Sequence, residues 1–209
     1  AFGMFAASHM QPDCDRATFA PSEPSLGEMT RKAVEVLAKN PRGFFLMVEG
    51  SQIDWASHAN DPAQLVADLL AFDNAVAAAL EFARKRNDTL VLAFSDHNTG
   101  GFSIGNYKTS NTYSQMSVEA LVEPVRRMRL SAPGVWRKLG DERTPERLRA
   151  AVKEFWGVEI TAEDAVRVLD VAAREKNDPY YGLGEVLSPK YTAIGWSTHG
   201  HTGGDVPLF

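Results

Sequence analysis

The chain has a single cysteine, Cys14, so no internal disulfide framework can form and the fold must rest on a packed core. It has no apolar run approaching the roughly 20 residues that a membrane-spanning helix needs. It has no basic excess either. Lys plus Arg number 22 against 27 Asp plus Glu, a net charge of −5. With no basic stripe, nothing answers the phosphate backbone of a nucleic acid. There is no internal repeat, no low-complexity segment and no signal-peptide pattern; the chain opens directly on the apolar "AFGMFAA". What remains is the composition of an ordinary soluble globular protein, 44% hydrophobic and 23% charged over 209 residues. That length suits one α/β domain or a core with an insertion. Both ends look abrupt, and "DVPLF" at 205–209 reads as a strand cut short, so the chain is expected to be a piece of a larger protein.

Periodicity then orders the elements. Ser25 followed three residues later by Glu28 is a capping box, and Leu26, Met29, Ala33, Val36 and Leu37 recur at helical spacing behind it. "GFFLMVEG" (43–50) is a continuous apolar run bounded by glycines, the pattern of a strand buried on both faces of a parallel sheet. A long helix follows from Asp61, which reads as its cap, with Leu65, Leu69, Phe72, Val76, Ala79, Leu80 and Ala83 on its apolar face. "DTLVLAFSDHNTGG" is a second buried strand ending in a polar loop, and strand–helix–strand in this order is a βαβ unit. From about Gly105 the texture becomes helical and loop-like, with helices expected near 117–129, 144–157 and 161–176, the last with a capping box at Thr161 and Asp164. "KYTAIGW" (190–196) resumes strand character. The expected architecture is therefore α/β, a parallel-sheet core at 1–104 and 190–209 interrupted by a mostly helical insertion at 105–189.

Ligands of open parallel sheets bind beyond the carboxyl ends of the strands. Glu49 follows the first strand, Asp96 and His97 the second, and His201 the third. Asp54 and His58 come just after Glu49, one helical turn apart, and can converge on one ion. Carboxylate with imidazole suits zinc in an open, catalytic geometry, whereas oxygen alone, as at Glu49, suits magnesium. Each piece has a plainer reading: Asp54 and His58 as a surface pair or cap, "HTGG" as a turn. The joint pattern, three strand ends all closing on acid or histidine, favours metals.

"VEGSQIDWASHANDP" (48–62), "SDHNTGG" (95–101) and "GHTGGDVPLF" (200–209), in this order, closely resemble the alkaline phosphatases. The resemblance covers about the last half of a typical catalytic domain of that family. It implies an alkaline-phosphatase-like parallel-sheet sandwich, with 105–189 as the family's variable crown. It implies two zinc ions and one magnesium: Asp54, His58 and His201 on the first zinc, Asp96 and His97 on the second, Glu49 on the magnesium. Phosphomonoesters would be the substrates, hydrolysed through a phosphoserine with inorganic phosphate as product, in a periplasmic or extracellular homodimer. No stretch matches the family's nucleophilic serine, bridging aspartate, magnesium-binding Thr or Ser, or phosphate-clamping arginine, so half of the site is expected from outside these residues. Trp55 varies in the family and is read either as facing the substrate phosphate or as packed beside the helix. His199 and His9 read as loop histidines, and Cys14 as incidental. Phosphodiesterases and sulfatases of the same superfamily share the metal scaffold, and a non-catalytic metal-binding fragment, or a half that complements another chain, is the reading from a different class.

Overall fold

The caps read at Ser25 and Asp61 form where they were expected. In the computed structural model, which describes residues 2–209, helix α2 (Leu26–Leu37) starts on a full capping box: Ser25 Oγ accepts the Glu28 N–H at 3.2 Å and the Glu28 carboxylate accepts the Ser25 N–H at 2.7 Å. Helix α4 (Pro62–Arg84) starts with Pro at its first position, and the Asp61 carboxylate accepts the N–H groups of Ala63 and Gln64. Two shorter helices, α1 (Asp13–Phe19) and α3 (Gln52–His58), join α2 in packing on α4, which is the hub of this layer. Cys14, on α1, is half-buried, and burial together with the neighbouring carboxylates pushes its thiol pKa up.

The stretch read as an insertion, 105–189, is mostly helical. It contains α5 (Val118–Arg126), α6 (Ala132–Leu139), α7 (Pro145–Trp156), α8 (Ala162–Arg174) and a π-helical turn at Leu183–Leu187 that runs into α9 (Ser188–Tyr191). The main hydrophobic core lies here, around Val135, Leu148, Val152, Trp156, Val168 and Leu183. At the start of α8, Thr161 Oγ caps the Asp164 N–H as the sequence suggested. The Thr161 N–H, however, goes to the Tyr191 hydroxyl, so the capping box is only half made.

The strands differ most from expectation. The run at 43–49 and most of the run at 90–95 are extended but carry no ladder partner among the described residues; Phe45 is 89% and Leu90 81% exposed. The pairings that do form are short and antiparallel: β1 (Asn98–Thr99) with β4 (His201–Thr202), β2 (Ser103–Ile104) with β3 (Ile194–Gly195), and a bridge between Phe94 and Leu208. A strand acquires its regular geometry from a paired neighbour; the first run has none among the described residues, and the second meets only the chain end, where Ala93 and Phe209 exchange backbone hydrogen bonds at 2.9–3.0 Å. The "KYTAIGW" expectation also shifts. Pro189 takes the first turn of α9, Lys190 and Tyr191 are helical, and strand pairing begins only at Ile194.

Three buried carboxylates hold the insertion and α1 against α4. Asp15 accepts the Ser131 N–H at 2.9 Å and its hydroxyl. The second oxygen of Asp61 accepts the Ala132 N–H at 2.6 Å, and Asp68 Oδ1 accepts the Asp13 N–H at 2.8 Å. Burial pushes the Asp61 carboxyl up to about 7 despite its backbone donors, and pushes Asp68 up to about 6. Asp68 Oδ2 is buried with no hydrogen-bond partner. A carboxyl raised on folding contributes most stability below its unfolded value of 3.8 and loses it as pH climbs through its folded value of about 6. Asn at position 68 keeps the acceptor for Asp13 and has no charge to bury. Urea unfolding at pH 4 and pH 8 should show Asp68→Asn gaining on the parent by on the order of 2–3 kcal/mol between those two conditions. An unchanged difference would mean that the Asp68 carboxylate is not held in a dry environment.

Candidate metal centre

Helix α3 is just long enough to place Asp54 and His58 one turn apart on a single face, with Asp54 Oδ2 3.4 Å from His58 Nε2. His201 reaches the same point from the opposite end of the chain, because β4 lies against β1 with Thr99 opposite His201. Ligand atoms of Asp54, His58 and His201 all lie within 4.8 Å of one another. One carboxylate oxygen and two imidazole nitrogens are the donor types that open zinc sites use.

The loop around Gly100 allows this approach. Gly100 and Gly101 have φ of 75° and 60°, and a Cβ on Gly101 would sit 1.9 Å from Ser197 Oγ. Their backbone is then free to pair: the Gly100 N–H donates to Gly200 O and the Ser197 N–H to Gly100 O, both at 2.9 Å.

Thr99 joins the triplet to His97. Its hydroxyl lies 2.6 Å from Asp54 Oδ1 and 3.1 Å from His97 Nδ1. An ionised carboxylate only accepts, so the one hydroxyl proton goes to Asp54 and the Thr99 oxygen accepts from His97 Nδ1–H. The Nε2 lone pair of His97 is thereby left free. The His97 ring stacks on His201 with centroids 3.8 Å apart, and its Nε2 lies 3.4 Å from Asp96 Oδ2. The histidine expected for a second ion is thus next to the first triplet, while Asp96 extends largely into solvent. Glu49 is exposed at the end of its extended run, outside the triplet. Trp55, 40% exposed, meets the His9 ring edge-to-face with ring centroids 4.2 Å apart, and the Gln52 amide ties the adjacent Met10 carbonyl to α3 at 2.9 Å.

Thr99 and His199 were not singled out as site residues by the sequence, although both stand two residues from a candidate ligand. His199 proves to be half-buried, with its ring against the C-terminal end of α3. Asp61, read as a cap, is one, and it also anchors the insertion.

Fold and site together describe part of an α/β scaffold with a candidate metal centre where α3 meets the β1–β4 pair. The family model for alkaline phosphatase matches residues 1–209, and the chain belongs to the alkaline phosphatase family. It is 34% identical over 207 residues to alkaline phosphatase 3 of Bacillus subtilis, covering 99% of this chain and 42% of that protein. With the repressible alkaline phosphatase of Saccharomyces cerevisiae it shares 31% identity over 221 residues, covering 99% of this chain and 38% of that one. Its structure resembles the crystal structure of Thermus thermophilus alkaline phosphatase with a TM-score of 0.84 and 28% identity, over 99% of this chain and 46% of the other. The α/β alkaline-phosphatase-like class, present here in part, therefore holds, and the chain spans less than half the length of these relatives.

Thr99→Val removes the hydroxyl but keeps the shape. It leaves Asp54 Oδ1 and His97 Nδ1–H unpaired, and loss of such outer partners typically weakens metal binding by about 10–100-fold. Competition titration of Zn²⁺ against a chromophoric chelator should show a drop in that range, and an unchanged affinity would show the hydroxyl to be idle.

Proposed function

We propose that this chain is the metal-binding part of an alkaline-phosphatase-type phosphomonoesterase. The observation that carries the reading is the convergence of Asp54, His58 and His201, brought from α3 and β4 to within 4.8 Å. In this reading the triplet holds one zinc, Asp96 and His97 contribute to a second, and Glu49 holds a magnesium. Zinc bound there supplies Lewis-acid charge toward the phosphoryl oxygens, where charge accumulates during phosphoryl transfer. The chain's own residues prepare the site. Asp54 is held by Thr99 through one oxygen and presents the other, and His58 presents Nε2. Trp55, next to Asp54, is partly exposed, which supports a place facing the substrate phosphate in this reading. The substrates are phosphomonoesters and the product is inorganic phosphate.

The nucleophilic serine and the phosphate-binding arginine come from a segment outside these residues. This is supported by the 42% coverage of the Bacillus subtilis relative and by the runs at 43–49 and 90–92, whose apolar side chains stand largely exposed with no ladder partner among the described residues. Those same exposed runs favour a second reading for the chain by itself, a non-catalytic metal-binding half that complements another segment. Periplasmic or extracellular location and a homodimeric full-length protein belong to the same proposal; no helix among the described residues is long and apolar enough to cross a membrane.

Glu49 and His58 separate the two kinds of ion. A lone carboxylate offers hard oxygen to an ion that keeps several waters, whereas imidazoles draw zinc. In the full-length protein, Glu49→Gln should weaken activation by added Mg²⁺ and leave the zinc content nearly intact, and His58→Ala should do the reverse. Metal analysis after dialysis, with p-nitrophenyl phosphate turnover against added Mg²⁺, checks both; zinc lost from Glu49→Gln with its magnesium response kept would overturn the assignment. The isolated 209-residue chain should turn the same ester over negligibly.

A further inference from the structure

We infer that His199 is the positioning residue for the His58 imidazole, and that it ties this candidate ligand to the helical insertion. The inference rests on reading Asp54, His58 and His201 as a divalent metal site. His199 is not in that triplet. Its ring faces the other way, yet it makes a reciprocal pair with His58: His58 Nδ1–H donates to the His199 carbonyl, and His199 Nδ1–H donates to the His58 carbonyl at 2.7 Å.

The first bond settles the tautomer. With its proton on Nδ1, His58 keeps the Nε2 lone pair pointed at Asp54 Oδ2, 3.4 Å away. Any residue at 199 could supply that backbone carbonyl. The side chain supplies the second bond, which runs in the opposite direction. Two antiparallel bonds between the same two residues fix separation and orientation together, where one alone acts as a hinge. The Asn60 side chain adds a third tie, donating to the Thr198 carbonyl at 3.0 Å from a backbone position at φ 53°.

The insertion closes the other side of His199. The Tyr181 ring stacks on the His199 ring, with centroids 5.4 Å apart and planes within 12°. Glu185, on the π-helical turn, places a carboxylate oxygen 3.7 Å from His199 Nε2. Between these two residues, Gly184 lets the turn pack backbone to backbone against the end of α3: a Cβ there would lie 2.0 Å from the Ala59 carbonyl oxygen and 2.8 Å from that of Asn60. A π-helical turn is rare and is frequently found at functional sites. Here it abuts the two residues that follow His58, and it delivers Glu185 to the histidine that orients His58.

The test uses the whole 209-residue chain. Zn²⁺ affinity is measured by competition titration and the Co²⁺ visible spectrum is recorded, for the parent, His199→Ala, His199→Asn and His58→Ala. Asn places its amide N–H close to where His Nδ1–H lies and can remake the bond to the His58 carbonyl without the ring. His199→Ala should lose about 10–100-fold in zinc affinity, the usual effect of removing an outer-sphere partner, and broaden or shift the Co²⁺ bands. His199→Asn should recover most of both. If His58→Ala weakens binding but His199→Ala stays within about twofold of the parent with the same Co²⁺ spectrum, the positioning role is wrong and the metal site stands. Failure of Asn to recover affinity lost in His199→Ala would also overturn the role, since the lost donor would not then be the cause. If His58→Ala leaves affinity unchanged, the metal-site reading falls and the role of His199 with it.

Discussion

The Asp61 carboxylate is the interaction on which the arrangement depends. It is fully buried, caps α4 through Ala63 and Gln64, and accepts the first N–H of α6 from Ala132. Burying an anion is costly unless donors converge on it, and here three backbone N–H groups from two helices do so. The chain between this anchor and α3 is only Ala59 and Asn60. The direction in which α3 presents Asp54 and His58 is therefore set by a carboxylate that ligates nothing. The same anchor brings the insertion down on α4, which puts the π-helical turn against the end of α3.

This division of labour shows in where the apolar residues go. The core collects under α6, α7, α8 and the π-helical turn, while the layer that carries the candidate ligands leaves Phe44, Phe45, Met47, Leu92 and Phe94 exposed. The helical stretch expected as an insertion contributes most of the buried apolar residues. The two extended runs keep the composition of interior strands without interior neighbours. They are also the segments through which the chain would associate, with itself or with a complementing segment.

Legibility in the sequence followed the range of the interaction. Local signals read correctly: the Ser25–Glu28 box, the Asp61 cap with Pro62 behind it, the helical stripes of α7 and α8, and the spacing of Asp54 and His58. Signals that depend on a partner far along the chain did not. An apolar run such as "FFLMV" states a preference for burial but cannot name what covers it, and none of the described residues supplies it a ladder partner. That His201 joins Asp54 and His58 follows from a two-residue antiparallel pairing with Thr99, too short to leave a pattern; the family motifs, not periodicity, suggested it. Thr99 and His199 were missed because an outer-sphere role depends on which lone pair a hydroxyl or imidazole leaves free, and that is set by tertiary contacts alone.

The most direct measurement of the central claim is zinc K-edge absorption on the chain loaded with one equivalent of Zn²⁺. A site built by Asp54, His58 and His201 should give a first shell of nitrogen and oxygen at about 2.0–2.1 Å with the outer-ring scattering of two imidazoles per zinc, and no sulfur. Replacing His201 by alanine should reduce the imidazole count to one. A sulfur shell near 2.3 Å, or an all-oxygen shell with no imidazole scattering, would contradict the account.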